Sequence, residues 1–205
     1  MNTPIILLLC SLGFAACAAL PTKAEPSAEF PSLPHGQPEG RFGTERPVAR
    51  VTPNASRELV WTMAAPPEKI FPLLCPVLEY DWIPTWRTKL IHSKSGVAEE
   101  DCIFETRFPG DGPMIWICTR YEPPTRIEYT CYAQRGYIVR LKIMLAAVQE
   151  GTQMVWSRSW HAYNADGEAW MQQWNGDRYD EMMNHRKAEM EHYLRTGSIL
   201  KPAAH

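Results

Sequence analysis

The chain has 205 residues, with 21 Lys and Arg against 23 Asp and Glu and a formal charge of −2. It lacks the basic cluster needed to neutralise a run of phosphates, which argues against a nucleic-acid-binding protein. Eight tryptophans are many for this length, and all lie from Trp61 onward.

The first 24 residues run apolar from Ile5 to Leu20 and then reach small residues. That is the form of a secretory signal, with a short apolar core and a small-x-small exit. The stretch FAAC also approximates the box in which a bacterial lipoprotein is acylated, here on Cys17. A cleaved signal, a lipid anchor and an uncleaved anchor stay open, although the apolar run is shorter than the ~20 residues that span a bilayer. Each predicts an exported protein of a bacterial envelope, periplasmic or tethered to the membrane through its N-terminus.

Residues 25–56 are rich in proline and glycine with almost no periodic apolar pattern, which predicts an arm or linker. Residues 57–197 have the size of one domain, and 198–205 form a C-terminal tail. Within the domain, RELVWTM alternates as a strand does. APPEKIFPLL follows, with prolines where a helix can begin, and Pro72 and Pro76 keep that helix short.

Next comes EYDWIPTW, residues 79–86, too aromatic for an ordinary loop and broken by Pro84. Six β-rich segments succeed it: TKLIHSK, DCIFETRF, PMIWICTRY, TRIEYTCYA, YIVRLKIMLAAV and TQMVWSRSWHAY. Turn residues separate them at Ser95-Gly96, Pro109 to Gly112, Pro123-Pro124, Arg135-Gly136 and Glu150-Gly151. The last segment predicts one long helix from about Asp166 to Gly197, which Gly176 can bend. Consecutive strands with segregated helices imply an α+β fold with an antiparallel sheet.

Alternation turns Ile127, Tyr129 and Cys131 inward on one strand, and Leu141, Ile143 and Leu145 on the next. A tight EPPT loop would set Cys118 opposite Tyr129 and Trp116 opposite Cys131. Cys118 and Cys131 are then diagonal neighbours, too far apart for easy bridging, and are expected reduced. In VWSRSWHAY either the face of Trp156, Arg158 and Trp160 points inward or that of Ser157, Ser159 and His161. A buried lone guanidinium is costly, so the serine face is the expected inner one, with His161 on the interior wall. The last helix offers Trp170, Trp174, Met182 or Met183, Met190 and Leu194 as an inner stripe. Tryptophan and methionine suit an adaptable apolar hollow as well as an ordinary core.

APPEKIFPLLCPVLEYDWIPTW, then six strands with TRYEPPTRIEY, then a helix ending HYLRTG, resembles the START-like superfamily, also called SRPBCC. That group contains START lipid-transfer domains, birch-pollen-type allergens, polyketide cyclases and bacterial relatives. The resemblance covers residues 57–197. It implies a helix-grip fold, a curved antiparallel sheet of about seven strands around a long C-terminal helix, with an apolar cavity between them. It also implies a bound hydrophobic or amphipathic small molecule or lipid; no cofactor is expected. The expected rim is Tyr80, Trp82 and Trp86; the walls Trp116, Tyr129, Ser159 and His161; the lid Trp170 and Trp174.

Two alternatives stand beside binding or transport. One is a cyclase or dehydratase-like enzyme using His161, with Tyr129 or Tyr163 as partners. The other is a filled domain that docks a partner protein. No metal is expected. His185 and His192 share a crowded, charged helix face that reads as solvated, and the His/His/carboxylate iron set of the related ring hydroxylases has no match here.

Overall fold

A computed structural model describes residues 54–108, 110–174 and 176–201. The signal and most of the arm lie outside the described residues. Strand β1 spans Asn54–Met63, starting three residues before the expected domain boundary. It buries Trp61 and Met63 and turns Glu58, Val60 and Thr62 to solvent, as a strand with one covered face should. Helix α1 (Pro67–Ile70) begins on a proline, at the position where a helical N–H has no partner anyway. Pro72 cannot supply the next helical N–H, and the chain tightens into a 3₁₀ turn at Phe71–Leu74. A second 3₁₀ turn follows at Leu78–Asp81.

The remaining strands are β2 (Thr88–His92), β3 (Ile103–Phe108), β4 (Gly112–Glu122), β5 (Arg126–Ala133), β6 (Tyr137–Val148) and β7 (Gly151–Ala162). All pair antiparallel in one seven-stranded sheet ordered β1-β7-β6-β5-β4-β3-β2. Strands β2 to β7 form a meander, and β1 closes on β7 with Trp61 opposite Met154. This curved, open sheet with a C-terminal helix is the helix-grip α+β fold.

The expected register across β4 and β5 holds, with Trp116 opposite Cys131 and Cys118 opposite Tyr129. Cys75, Cys102, Cys118 and Cys131 are buried free thiols. Ile127, Tyr129, Cys131, Leu141, Ile143 and Leu145 are all buried, as alternation predicts.

Two expectations are corrected. The single long helix is two: α2 (Ala165–Gln173) and α3 (Gly176–Thr196). Trp174 leaves helical geometry, with φ −99° and ψ 43°, and Gly176 opens the second helix rather than bending a continuous one. Strand β7 is also turned the other way. Met154, Trp160 and Ala162 are buried, which puts Trp156, Arg158 and Trp160 on the inner face and Ser157, Ser159 and His161 on the outer. The physical reason is aromatic. The guanidinium carbon of Arg158 lies 5.0 Å from the Trp160 ring centre and 5.9 Å from those of Trp116 and Tyr179. Three π faces offset part of the cost of placing a cation there.

Helix α2 is set down on the sheet by close backbone contact. The Asn164 side chain caps it, accepting from the Gly167 N–H at 2.8 Å. Gly136, at φ 115°, accepts from the Tyr163 N–H at 2.8 Å. A Cβ on Gly167 would stand 2.0 Å from the Gly136 carbonyl oxygen, so only glycine allows this approach. Helix α3 stops at Gly197, whose φ of 67° and N–H bond to Tyr193 are those of a left-handed C-terminal stop. No helix among the described residues is long and apolar enough to cross a membrane.

Candidate functional site

The inner face of the sheet, the two 3₁₀ turns and helices α2 and α3 do not mesh completely. They enclose a cavity of about 340 Å³, towards the lower end of the range of roughly 300–1,000 Å³ usual for small-molecule sites.

The segment EYDWIPTW supplies one wall. The Trp82 indole N–H donates to the Leu73 carbonyl at 2.9 Å, and that of Trp86 to the Pro76 carbonyl at 2.7 Å. Each bond satisfies the one polar atom of the ring and leaves its apolar faces for the cavity and the core. Pro84 lies in the turn closed by the Trp86 N–H on the Ile83 carbonyl, 3.1 Å. From the sheet come Trp116, whose N–H donates to Thr106 Oγ1 at 2.9 Å, and Tyr129, whose hydroxyl donates to the Leu74 carbonyl at 3.0 Å. Trp170 and Trp174 meet edge to face at 6.1 Å on the helical side. Arg135 stacks on Trp170 and Arg178 on Trp174.

Six of the nine expected site residues thus line one cavity: Trp82, Trp86, Trp116, Tyr129, Trp170 and Trp174. Three do not. Tyr80 is exposed, and its hydroxyl donates to the Thr88 carbonyl at 2.9 Å, pinning the segment to β2. Ser159 and His161 lie on the outer face of β7, with Ser159 Oγ 3.2 Å from His161 Nε2. The outward turn of β7 removes His161 from the interior.

Polar groups that sequence reasoning missed share the cavity. Glu79 is on its wall. Burial pushes its carboxyl up from 4.5 to about 8, while the Arg186 cation pulls the other way. Asp111 accepts from the Tyr137 hydroxyl at 3.2 Å, and burial raises its carboxyl too. Arg158, Arg178 and Arg186 complete the charged lining. Arg186 is engaged by Glu189 at 2.6 Å. Glu189 is itself buried and also meets His185 Nε2 at 3.2 Å. Among the described residues, no three His, Cys, Asp or Glu side chains converge as a metal site.

The model of a family described as polyketide cyclase/dehydrase and lipid transport matches residues 49–191. The chain belongs to that family. No curated protein matches the sequence significantly. Among solved structures, norcoclaurine synthase from Thalictrum flavum is 12% identical, with a TM-score of 0.54 over 71% of this chain and 90% of its own. A Staphylococcus aureus protein of unknown function is 11% identical, with a TM-score of 0.54 over 71% of this chain and 96% of its own. A Rhodobacter sphaeroides protein is 16% identical, at 0.52 over 71% and 93%. At these identities the likeness is one of fold.

For this member of the polyketide cyclase/dehydrase and lipid transport family, the missed residues had weak signals. Glu79 opens the aromatic stretch, but in a 3₁₀ turn neighbouring side chains point about 120° apart. Whether Glu79 or Tyr80 faces inward depends on how the turn docks. Asp111 sits within a Pro-Gly-Asp-Gly turn and reads as a turn residue. Arg158 stood on the face rejected for its charge.

Proposed function

We propose that this chain binds a hydrophobic or amphipathic small molecule in the cavity between sheet and helices, for storage or transfer. The observation that carries the reading is the cavity itself, lined by all eight tryptophans and by Tyr129, Tyr137 and Tyr179, with the polar atoms of Trp82, Trp86 and Tyr129 turned to backbone acceptors. Membership of a family described by cyclase, dehydrase and lipid-transport activities supports it. So does a solved chain of the same fold, norcoclaurine synthase in complex with dopamine and hydroxybenzaldehyde. An envelope location belongs to the same proposal and rests on the apolar N-terminal run.

The test uses delipidated protein and the neutral dye N-phenyl-naphthylamine. Saturable fluorescence enhancement at one equivalent supports the reading. Failure of both this dye and an anionic analogue to bind saturably, with no small molecule released on denaturation, overturns it.

One observation favours a second reading, a cyclase or dehydratase-like enzyme in the same cavity. Glu79, held protonated near neutral pH by burial, is a proton donor facing the cavity. In this reading Glu79 takes the acid–base role first expected of His161. Turnover by wild type that is lost in Glu79→Gln, with probe affinity unchanged, would establish it.

A further inference from the structure

We propose that the cavity selects compact amphiphiles bearing a carboxylate, and seats that head group against Arg158, Trp156 and Tyr179. The inference rests on the reading of the cavity as a ligand site and adds the class of ligand.

Arg158 projects from the inner face of β7, between Arg57 on β1 and Leu141 on β6. Among the described residues, the ion pairs formed within 4 Å involve Arg107, Arg120, Arg126, His185, Arg186 and Lys187, and none involves Arg158. The rings of Trp160, Trp116 and Tyr179 attract its positive charge but accept few of its five N–H donors. Its Nε is buried with no hydrogen-bond partner.

Two neighbours are in the same condition. The indole nitrogen of Trp156 and the hydroxyl of Tyr179 are both buried and unpartnered, in a residue that is only 1% exposed in the case of Tyr179. Burial raises the proton affinity of the Tyr179 phenol, and the guanidinium and the indole N–H act on its oxygen as donors and lower it, but neither contact is aligned as a full hydrogen bond. Guanidinium and indole are donors only, so neither can satisfy the other, and the phenol oxygen is the one acceptor they share. Buried donors of this kind are rare, and each calls for an acceptor. A carboxylate supplies two acceptor oxygens in a plane that matches the guanidinium fork.

The surrounding charge has the right sign. The lining carries Arg158 and Arg178, with Arg186 paired to Glu189, against Glu79 and Asp111. Burial disfavours ionisation of both acids, so the wall leans positive. Asp111 feels Arg158 but is held by the Tyr137 hydroxyl at 3.2 Å. Size narrows the choice further. About 340 Å³ walled by tryptophan suits an aromatic or short-chain acid better than a two-chain lipid.

Calorimetry with cinnamate and cinnamyl alcohol tests this, since the two share one body and differ in the head. Wild type should bind cinnamate at least about tenfold more tightly, the effect of a charge-assisted contact of ordinary strength. Arg158→Met should lose that advantage while keeping the alcohol within about twofold, which also shows that it is folded. Arg158→Lys, retaining charge without the fork, should fall between. Tyr179→Phe should weaken cinnamate about threefold without lowering the melting temperature.

Equal affinity of wild type for acid and alcohol overturns the proposal. So does an equal loss of both ligands in the Arg158 variants, or an unchanged acid preference in Tyr179→Phe should Arg158→Met not fold. Saturable binding of the alcohol in those cases leaves the cavity reading standing. Absence of binding by either compound and by the neutral dye defeats both.

Discussion

Replacing Glu79 by glutamine should flatten the pH dependence of stability between pH 4.5 and 8. In the native chain burial moves this carboxyl from 4.5 to about 8. Across that interval the folded state keeps a proton that the unfolded chain releases, so stability falls as pH rises and levels off above about 8. A tenfold change in proton affinity is worth about 1.4 kcal/mol, which sets a ceiling of about 5 kcal/mol on the loss. Glu79 borders a cavity that water can enter and is half-buried by accessible surface. Partial solvation of the carboxyl makes ~2 kcal/mol the least loss expected beneath that ceiling. For a domain of this size that is roughly 6 °C in melting temperature.

The assay is thermal or urea unfolding of wild type and Glu79→Gln at intervals from pH 5 to 9. Asp111, also raised by burial, contributes a slope of the same sign, so the difference between the two proteins isolates Glu79. Parallel profiles would refute the reasoning, because they would mean that the carboxylate is as well solvated folded as unfolded.

Three further outcomes are expected. Gly167→Ala should destabilise by about 3 kcal/mol or more in urea unfolding. Helix propensity favours alanine by about 1 kcal/mol, but the added Cβ would meet the Gly136 carbonyl at 2.0 Å, and backbone does not yield cheaply. Ser159→Ala and His161→Ala should leave dye affinity within about twofold, since both sit on the outer face of β7, whereas Trp170→Ala should speed dye release about tenfold by removing one side of the enclosure.

Most of the fold was legible because its determinants are local. Alternation in TRIEYTCYA and YIVRLKIMLAAV names the buried residues of β5 and β6, since side chains on a strand alternate strictly between faces. Gly136 and Gly197 mark a turn and a helix end because their positive φ is strained for other residues. The aromatic site residues were legible for a related reason. Burying rings as large as those of Trp82, Trp86 and Trp116 is strongly favoured, although at Trp156 and Trp160 that preference was outweighed in the sequence by the charge of Arg158 between them.

What stayed hidden depends on partners remote in sequence. Strand β7 carries tryptophans and an arginine on one face and serines and a histidine on the other, and alternation cannot choose between them. The choice falls to rings from β4 and α3, Trp116 and Tyr179, which meet Arg158 only after folding. Glu79 is hidden likewise, because its proton affinity comes from walls contributed by other elements.

The order of strands and helices, the turn positions and the apolar faces of β5 and β6 follow from the sequence by itself, through steric rules that act over a few residues. The inner face of β7, the break between α2 and α3, the cavity and its charged lining were decided only by the tertiary structure. Burial and electrostatic environment are properties of a site assembled from distant segments, and no short stretch of chain contains them.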